Sequence, residues 1–186
     1  MAETLQKTDS SMAAVMKLDA GKIENIASKY EQVYPVNYNS PGQTVVAGNC
    51  ENLKLFCAEI KEAGGRTIPL KVAGAFHSPF MNEASDNFAL ELKNTEFSQP
   101  KYPVWSNLTA QPYDANVAET LAQQMKNPVR WHETINNMIK SGITTFIELG
   151  PGKTLKGIIE KCSDKATVYN VEDEISLNET AKAILG

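Results

Sequence analysis

Residues 34–48, Y-P-V-N-Y-N-S-P-G-Q-T-V-V-A-G, decide the fold reading. Residues 34–39 form one strand with Pro35 near its start, and residues 43–47 form another. Ser40-Pro41-Gly42 between them is a turn, so the stretch predicts a hairpin. Upstream, residues 12–18 (MAAVMKL) predict a strand. Asp19 can cap the helix that follows, and Ile23, Ile26, Ala27 and Tyr30 give it one apolar stripe. Downstream, Gly48 and Asn49 open a second helix with Leu53, Phe56, Cys57 and Ile60 on one face, each thirty residues after its counterpart in the first. Ala63-Gly64-Gly65 ends that helix, and residues 66–72 complete the unit as a last strand.

The resulting order, β-α-β-β-α-β, is the ferredoxin-like arrangement. From Ala73 the pattern changes. Ser78 and Pro79 start a helix with Met81, Ala84, Phe88 and Leu92 on its apolar face, and Ser78 serves as its cap. Residues 103–108 predict a strand. Asp114 caps a helix carrying Val117, Leu121 and Met125, which Pro128 ends. Trp131, Ile135, Met138 and Ile139 form another helical face, closed by Gly142. Residues 144–149 predict a strand buried on both faces, and Gly150-Pro151-Gly152 turns into a helix with Leu155, Ile158 and Ile159. Residues 166–171 predict a further strand. Ser176 with Glu179 reads as the capping box of a last helix whose face is Leu177, Ala181 and Ile184. Strands alternating with helices imply a parallel sheet, here with about three strands, fewer than the usual ~5–6.

Composition narrows the function. The 186 residues hold 18 Lys and Arg against 22 Asp and Glu, a net charge of −4, with 42% apolar and 22% charged residues. That is the balance of a folded globular chain. No stretch approaches the ~18 apolar residues of a membrane span, and the first nine residues do not form a secretory signal. Scattered Lys and Arg offer no basic footprint for nucleic acid. Cys50, Cys57 and Cys162 are an odd count without C-x-x-C spacing. This argues against a disulfide framework or a zinc site and suits a reducing compartment, the cytoplasm.

His77, in G-A-F-H-S-P-F-M between a strand and a helix start, reads on position alone either as a general base or as a polar loop histidine that caps the helix. The positive end of the following helix favours the neutral imidazole, which can accept a proton. His132, beside Trp131, points away from the apolar stripe and belongs to a solvated helix face. No Ser, Thr or Cys stands in a G-x-S-x-G elbow. Gly152-Lys153-Thr154 looks like the end of a phosphate-binding loop, but Ile147 stands where that motif needs glycine, so the stretch is a tight strand-to-helix turn.

Four segments then carry a resemblance. Asn37-Tyr38-Asn39-Ser40-Pro41-Gly42-Gln43 with Val45-Val46-Ala47-Gly48 is similar to the N-x-N-S-P-x-Q-x-V-x-[SA]-G signature of the malonyl-CoA:acyl-carrier-protein transacylases. Ala75-Phe76-His77-Ser78 with Met81 resembles their catalytic histidine segment. Gln123-Gln124-Met125 with Asn127-Pro128-Val129-Arg130-Trp131, and Glu148-Leu149-Gly150-Pro151-Gly152-Lys153, follow in the family's order. The resemblance implies an α/β fold. Residues 1–72 would be a ferredoxin-like small subdomain, and residues 73–186 the C-terminal part of an α/β-hydrolase-like acyltransferase core. It implies ping-pong malonyl transfer from coenzyme A to the phosphopantetheine thiol of acyl carrier protein, in fatty-acid biosynthesis, with no cofactor or metal beyond these substrates. By resemblance His77 is the general base, and the main-chain carbonyl of Gln124 holds its other ring nitrogen. Phe76 narrows the pocket beside the acyl α-carbon, and Asn39 contributes to substrate binding.

The family's serine elbow, oxyanion glutamine and carboxylate-binding arginine all lie upstream of the matched part, the arginine only a few residues before Met1. The chain therefore reads as the C-terminal three-fifths of such an enzyme, with the upstream segment as a further partner, and is expected to be inactive alone. The alternative is a non-catalytic module of the same family that holds carrier protein or coenzyme A. A ferredoxin-like regulatory domain would leave all four segments unexplained.

Overall fold

The structure, a computed structural model, describes residues 8–186. It is an α/β protein of two compact units, divided between Thr134 and Ile135. The first unit contains β1 (Ser10–Met16), α1 (Ala20–Ala27), β2 (Val33–Ser40), β3 (Gln43–Asn49), α2 (Cys50–Glu62) and β4 (Arg66–Pro69). After a 3-10 turn (Pro79–Met81) come α3 (Asn82–Leu92) and α4 (Val117–Gln124), and α5 (Trp131–Lys140) begins before the division. The second unit holds β5 (Thr145–Leu149), α6 (Thr154–Cys162), β6 (Thr167–Val171) and α7 (Glu174–Leu185).

The first four strands form an antiparallel sheet in the order β2-β3-β1-β4. The predicted hairpin is present, with Ser40 paired to Gln43 across Pro41-Gly42. Pro35 is tolerated because β2 is an edge strand, and a bulge between Pro35 and Asn37 absorbs the missing donor. Side chains alternate between two cores, following the strand period of two. Val15 and Val46 face α1 and α2 and pack with Ile23, Ile26, Leu53, Phe56 and Ile60. Met12, Ala14, Val45 and Ala47 face the other way, where Ala75, Phe76 and Phe80 cover them. Both helix caps match the sequence: the Asp19 carboxylate accepts from Lys22 N at 2.9 Å, and Asn49 Oδ1 accepts from Glu51 N at 3.0 Å. The first helix stops at Ala27, so Tyr30 lies beyond it and packs edge-on against Phe56.

Gly48 pairs with Val33 at the start of β2, close against its main chain. A Cβ there would lie 2.6 Å from the main-chain oxygen of Gln32 and 3.2 Å from Val33 Cα. Neither neighbour is a flexible side-chain end. We expect Gly48→Ala to cost about 1–3 kcal/mol, measured as a lowered urea midpoint at constant slope. A midpoint equal to that of the unsubstituted chain would contradict this packing.

Several sequence expectations are corrected. Residues 103–108 form no strand. Ser106 N donates to Gln111 O and Ala110 N to Ser106 O, so the chain folds back on itself and leaves one isolated bridge, Trp105 to Pro112. Asp114 accepts from Asn116 N, ahead of α4, and does not cap the helix, which starts without a side-chain cap. Ser78 does not cap either. Its buried hydroxyl donates to Ala75 O at 2.6 Å, and a 3-10 turn precedes α3. The last capping box is Asp173 with Ser176, because Asp173 is extended and its carboxylate reaches Ser176 N at 2.8 Å.

The second unit's sheet has two parallel strands, β5 and β6, instead of about three. With only β6 beside it among the described residues, β5 is not buried on both faces. Ile147 is 45% exposed and Leu149 77%. On α7, Leu177 and Ile184 are exposed as well, and the buried position is Thr180.

Candidate functional site

His77 follows the segment that lies on the sheet's second face. Leu70 N donates to Met12 O, and Ala75 N donates to Ser10 Oγ at 3.1 Å, which ties residues 70–75 to β1. Ala75 is fully buried, and Phe76 packs against the core beside it. His77 itself has φ 57°, a left-handed conformation that few non-glycine residues adopt. Strain of this kind persists only where the surroundings hold it, and it concentrates at functional sites.

The surroundings here are specific. His77 Nδ1 lies 2.9 Å from the main-chain oxygen of Gln124, at the C-terminal end of α4. A carbonyl oxygen only accepts, so Nδ1 carries the proton and the lone pair resides on Nε2. In the neutral ring the nitrogen free to accept a proton is therefore Nε2. Helix α4 is held in turn by α3, where the buried Ser85 hydroxyl donates to Ala122 O at 2.7 Å. Beyond α4, Val129 N donates to Val36 O and Val129 O accepts from Tyr38 N, which zips the chain to the open edge of β2.

Phe76, His77 and Gln124 line one hollow of about 240 Å³ together with Phe88, Leu121 and Met125. Its walls are mostly apolar, so a group entering it leaves water. Asn39 is not part of that lining. It lies on β2 between Tyr38 and Ser40, where the register to β3 shifts.

Three residues that the sequence reading did not single out meet at Gln124. Its side-chain Oε1 accepts from Ser106 Oγ at 3.0 Å, Asn107 N at 2.9 Å and Tyr113 OH at 2.9 Å. Ser106 and Asn107 come from the segment expected to be a strand and Tyr113 from the chain that folds back beside it, and no local pattern announces them.

His132 is corrected. It lines a second hollow, of about 390 Å³, with Tyr38, Pro128 and Arg130. Burial lowers its pKa, and the neighbouring Glu133 carboxylate opposes that only partly. The Arg130 guanidinium is engaged there by Glu133 through Nε at 2.8 Å and Nη2 at 2.7 Å.

The phosphate-loop lookalike is closed by the protein's own carboxylate. Glu148 accepts from Leu155 N at 3.0 Å and Lys156 N at 2.8 Å, so it occupies the helix start that an anion would use. Among the described residues no cluster of His, Cys, Asp and Glu could hold a metal ion, and no helix is long and apolar enough to cross a membrane.

Residues 2–181 match the acyl transferase domain family. The chain belongs to that family. Among the relatives of this acyl transferase domain, the malonyl CoA-acyl carrier protein transacylase of Bacillus subtilis is 35% identical over 180 residues, 93% of this chain and 57% of the relative. The crystal structure of the transacylase of that name from Clostridium perfringens superposes with a TM-score of 0.93 at 36% identity, over 98% of this chain and 61% of that one. A malonyl-transacylase solved in complex with its type II polyketide acyl-carrier protein gives a TM-score of 0.92 at 30% identity, over 97% of this chain and 62% of that one. The acyl transferase chain therefore spans about three-fifths of the length of the relatives it matches.

Proposed function

We propose that this chain carries the general base and a substrate-facing wall of a malonyl-CoA:acyl-carrier-protein transacylase. One observation carries the reading: the Gln124 carbonyl fixes the proton on Nδ1 of His77 and leaves Nε2 as the acceptor. In the proposed reaction Nε2 takes the proton of a serine hydroxyl as that oxygen attacks the malonyl thioester carbon. The ring then returns the proton to the sulfur of coenzyme A as the carbon–sulfur bond breaks. In the second half the phosphopantetheine thiol of acyl carrier protein gives its proton to Nε2 and takes the malonyl group, and the serine hydroxyl is restored. A serine hydroxyl is a weak nucleophile until such a base acts on it. Phe76 faces the acyl group and disfavours an α-methyl branch, by about 1–3 kcal/mol if the effect is steric. Asn39, on the bulged end of β2, contributes to substrate binding.

The strand order β2-β3-β1-β4 with two helices on one face supports reading residues 1–72 as a ferredoxin-like subdomain. Residues 73–186 then belong to an α/β-hydrolase-like core. The setting is cytoplasmic fatty-acid synthesis, and the reaction needs no cofactor beyond its two substrates.

The 186 residues contain no G-H-S-x-G elbow. We expect this chain alone to move no measurable malonyl from coenzyme A to carrier protein. Mixing it with a separately expressed segment of a relative that bears the elbow tests the proposal. Transfer that appears only in the mixture supports it. Transfer by this chain alone overturns the assignment of the nucleophile. Carrier-protein binding without transfer in any mixture favours the non-catalytic module instead.

A further inference from the structure

Gln124 is the last residue of α4, so its main-chain oxygen is one of the carbonyls that a helix end leaves unpaired, and the residue four positions later cannot claim it. In an α-helix the oxygen of residue i accepts the N–H of residue i+4. For Gln124 that residue is Pro128, which has no N–H. Neighbouring carbonyls are otherwise engaged. Ala122 O accepts from Met125 N and Ser85 Oγ, and Gln123 O accepts from Lys126 N and Asn127 Nδ2. Gln124 O is left for a partner outside the helix.

The same residue is also pinned through its side chain. Asn107 contributes a main-chain N–H, which can only donate, so the Gln124 atom it meets is the amide oxygen. Ser106 is fully buried and saturated. Its hydroxyl donates to Gln124 and accepts from Leu108 N at 3.1 Å and Thr109 N at 3.4 Å. Tyr113 OH completes the set. A glutamine held by three donors on its side chain has little freedom to swing its main-chain oxygen away from the ring.

We infer that Pro128, Ser106 and Tyr113 are positioning residues for His77. Pro128 leaves the Gln124 carbonyl without an intrahelical donor, and Ser106 and Tyr113 aim that carbonyl at Nδ1. The consequence for catalysis rests on the transacylase reading; the consequence for the ring does not. A histidine without such a partner ordinarily favours the proton on Nε2, which would leave the acceptor on the nitrogen facing Gln124.

The test reads the tautomer directly, by two-bond 15N–1H correlation of the imidazole in the 186-residue chain, at a pH above the titration of the ring. In the unsubstituted chain His77 is expected to be protonated at Nδ1. Tyr113→Phe and Pro128→Ala are each expected to move the Nδ1–H to Nε2–H ratio toward Nε2–H by about fivefold, with the amide spectrum reporting a retained fold. Either an Nε2–H tautomer in the unsubstituted chain or an unchanged ratio in both folded variants overturns the inference. A shift in one variant alone removes the other residue from it. If Pro128→Ala does not fold, Tyr113→Phe decides. Because no acyl chemistry enters this measurement, failure of malonyl transfer and failure of the positioning are told apart.

Discussion

His77→Ala is expected to lower malonyl transfer in the reconstituted mixture about a thousandfold, equivalent to about 4 kcal/mol of transition-state stabilisation. The loss should fall on kcat. In the proposed mechanism His77 would act on protons in flight and not on the bulk of the substrate, while Phe76 and the other apolar walls of the hollow remain. Steady-state kinetics with malonyl-CoA as the varied substrate separates the two parameters. A variant that keeps kcat and loses only KM would demote His77 to a binding residue. His77→Gln is a second comparison, because it keeps a polar side chain near Gln124 O without a base. It should be as slow as the alanine variant. Retained activity in either variant would end the general-base assignment.

Phe56→Ala should cost about 3–5 kcal/mol in stability. Phe56 is fully buried at the centre of the core under α1 and α2, and its ring meets Tyr30 edge-on with centroids 6.3 Å apart. Truncation removes that contact and leaves a cavity between two helices and a sheet, and both helices are fixed at their starts by the Asp19 and Asn49 caps. Collapse into the cavity is therefore limited. Domains of this kind are stable by about 5–15 kcal/mol in total, so the variant should be partly unfolded near body temperature. The adjacent Leu55 is 53% exposed, and Leu55→Ala should stay within about 0.5 kcal/mol. Urea unfolding of the pair gives the contrast, and equal midpoints would refute this core.

The first sheet was readable because each of its signals is local. The Asp19 and Asn49 caps and the Pro41-Gly42 turn act within a few residues, and each helical stripe is complete within its own short segment. What failed depends on distant partners. Residues 103–108 have strand composition, but the Ser106 hydroxyl, the Gln111 carbonyl and the Gln124 side chain gather that segment into a loop. Residues 145–149 have the apolar run of a central strand, yet only β6 pairs with it among the described residues, and no pattern within the run reports its neighbours. Ser78 has a capping residue's place before Pro79, but the 3-10 turn takes its hydroxyl to Ala75 O. At the site, His77 stood out from its loop position before a helix, whereas Gln124 came only from the family resemblance. The spacing of Gln124 and Pro128 was legible as chemistry, since a proline at i+4 has no N–H to offer the carbonyl at the end of a helix. Ser106 and Tyr113 were not, because contacts between loops leave no periodic trace.

The left-handed backbone of His77 has a consequence for which residues position 77 can accept. Two filters act there, one on the main chain and one on the ring. Asn, Asp, His and Gly satisfy the first, since they enter this region more readily than other residues, while Val, Ile and Thr do not. Only histidine satisfies both. A saturation library at position 77, scored separately for soluble yield and for malonyl transfer in the reconstituted mixture, should therefore give two unlike rankings. Asn and Gly should stand near the top for yield and at the floor for transfer, and the β-branched residues should be low in both. The site thus sets its own mutational tolerance: a lineage that lost the chemistry would be free to drift toward Asn or Gly at this position, because only the ring's filter and not the backbone's singles out histidine.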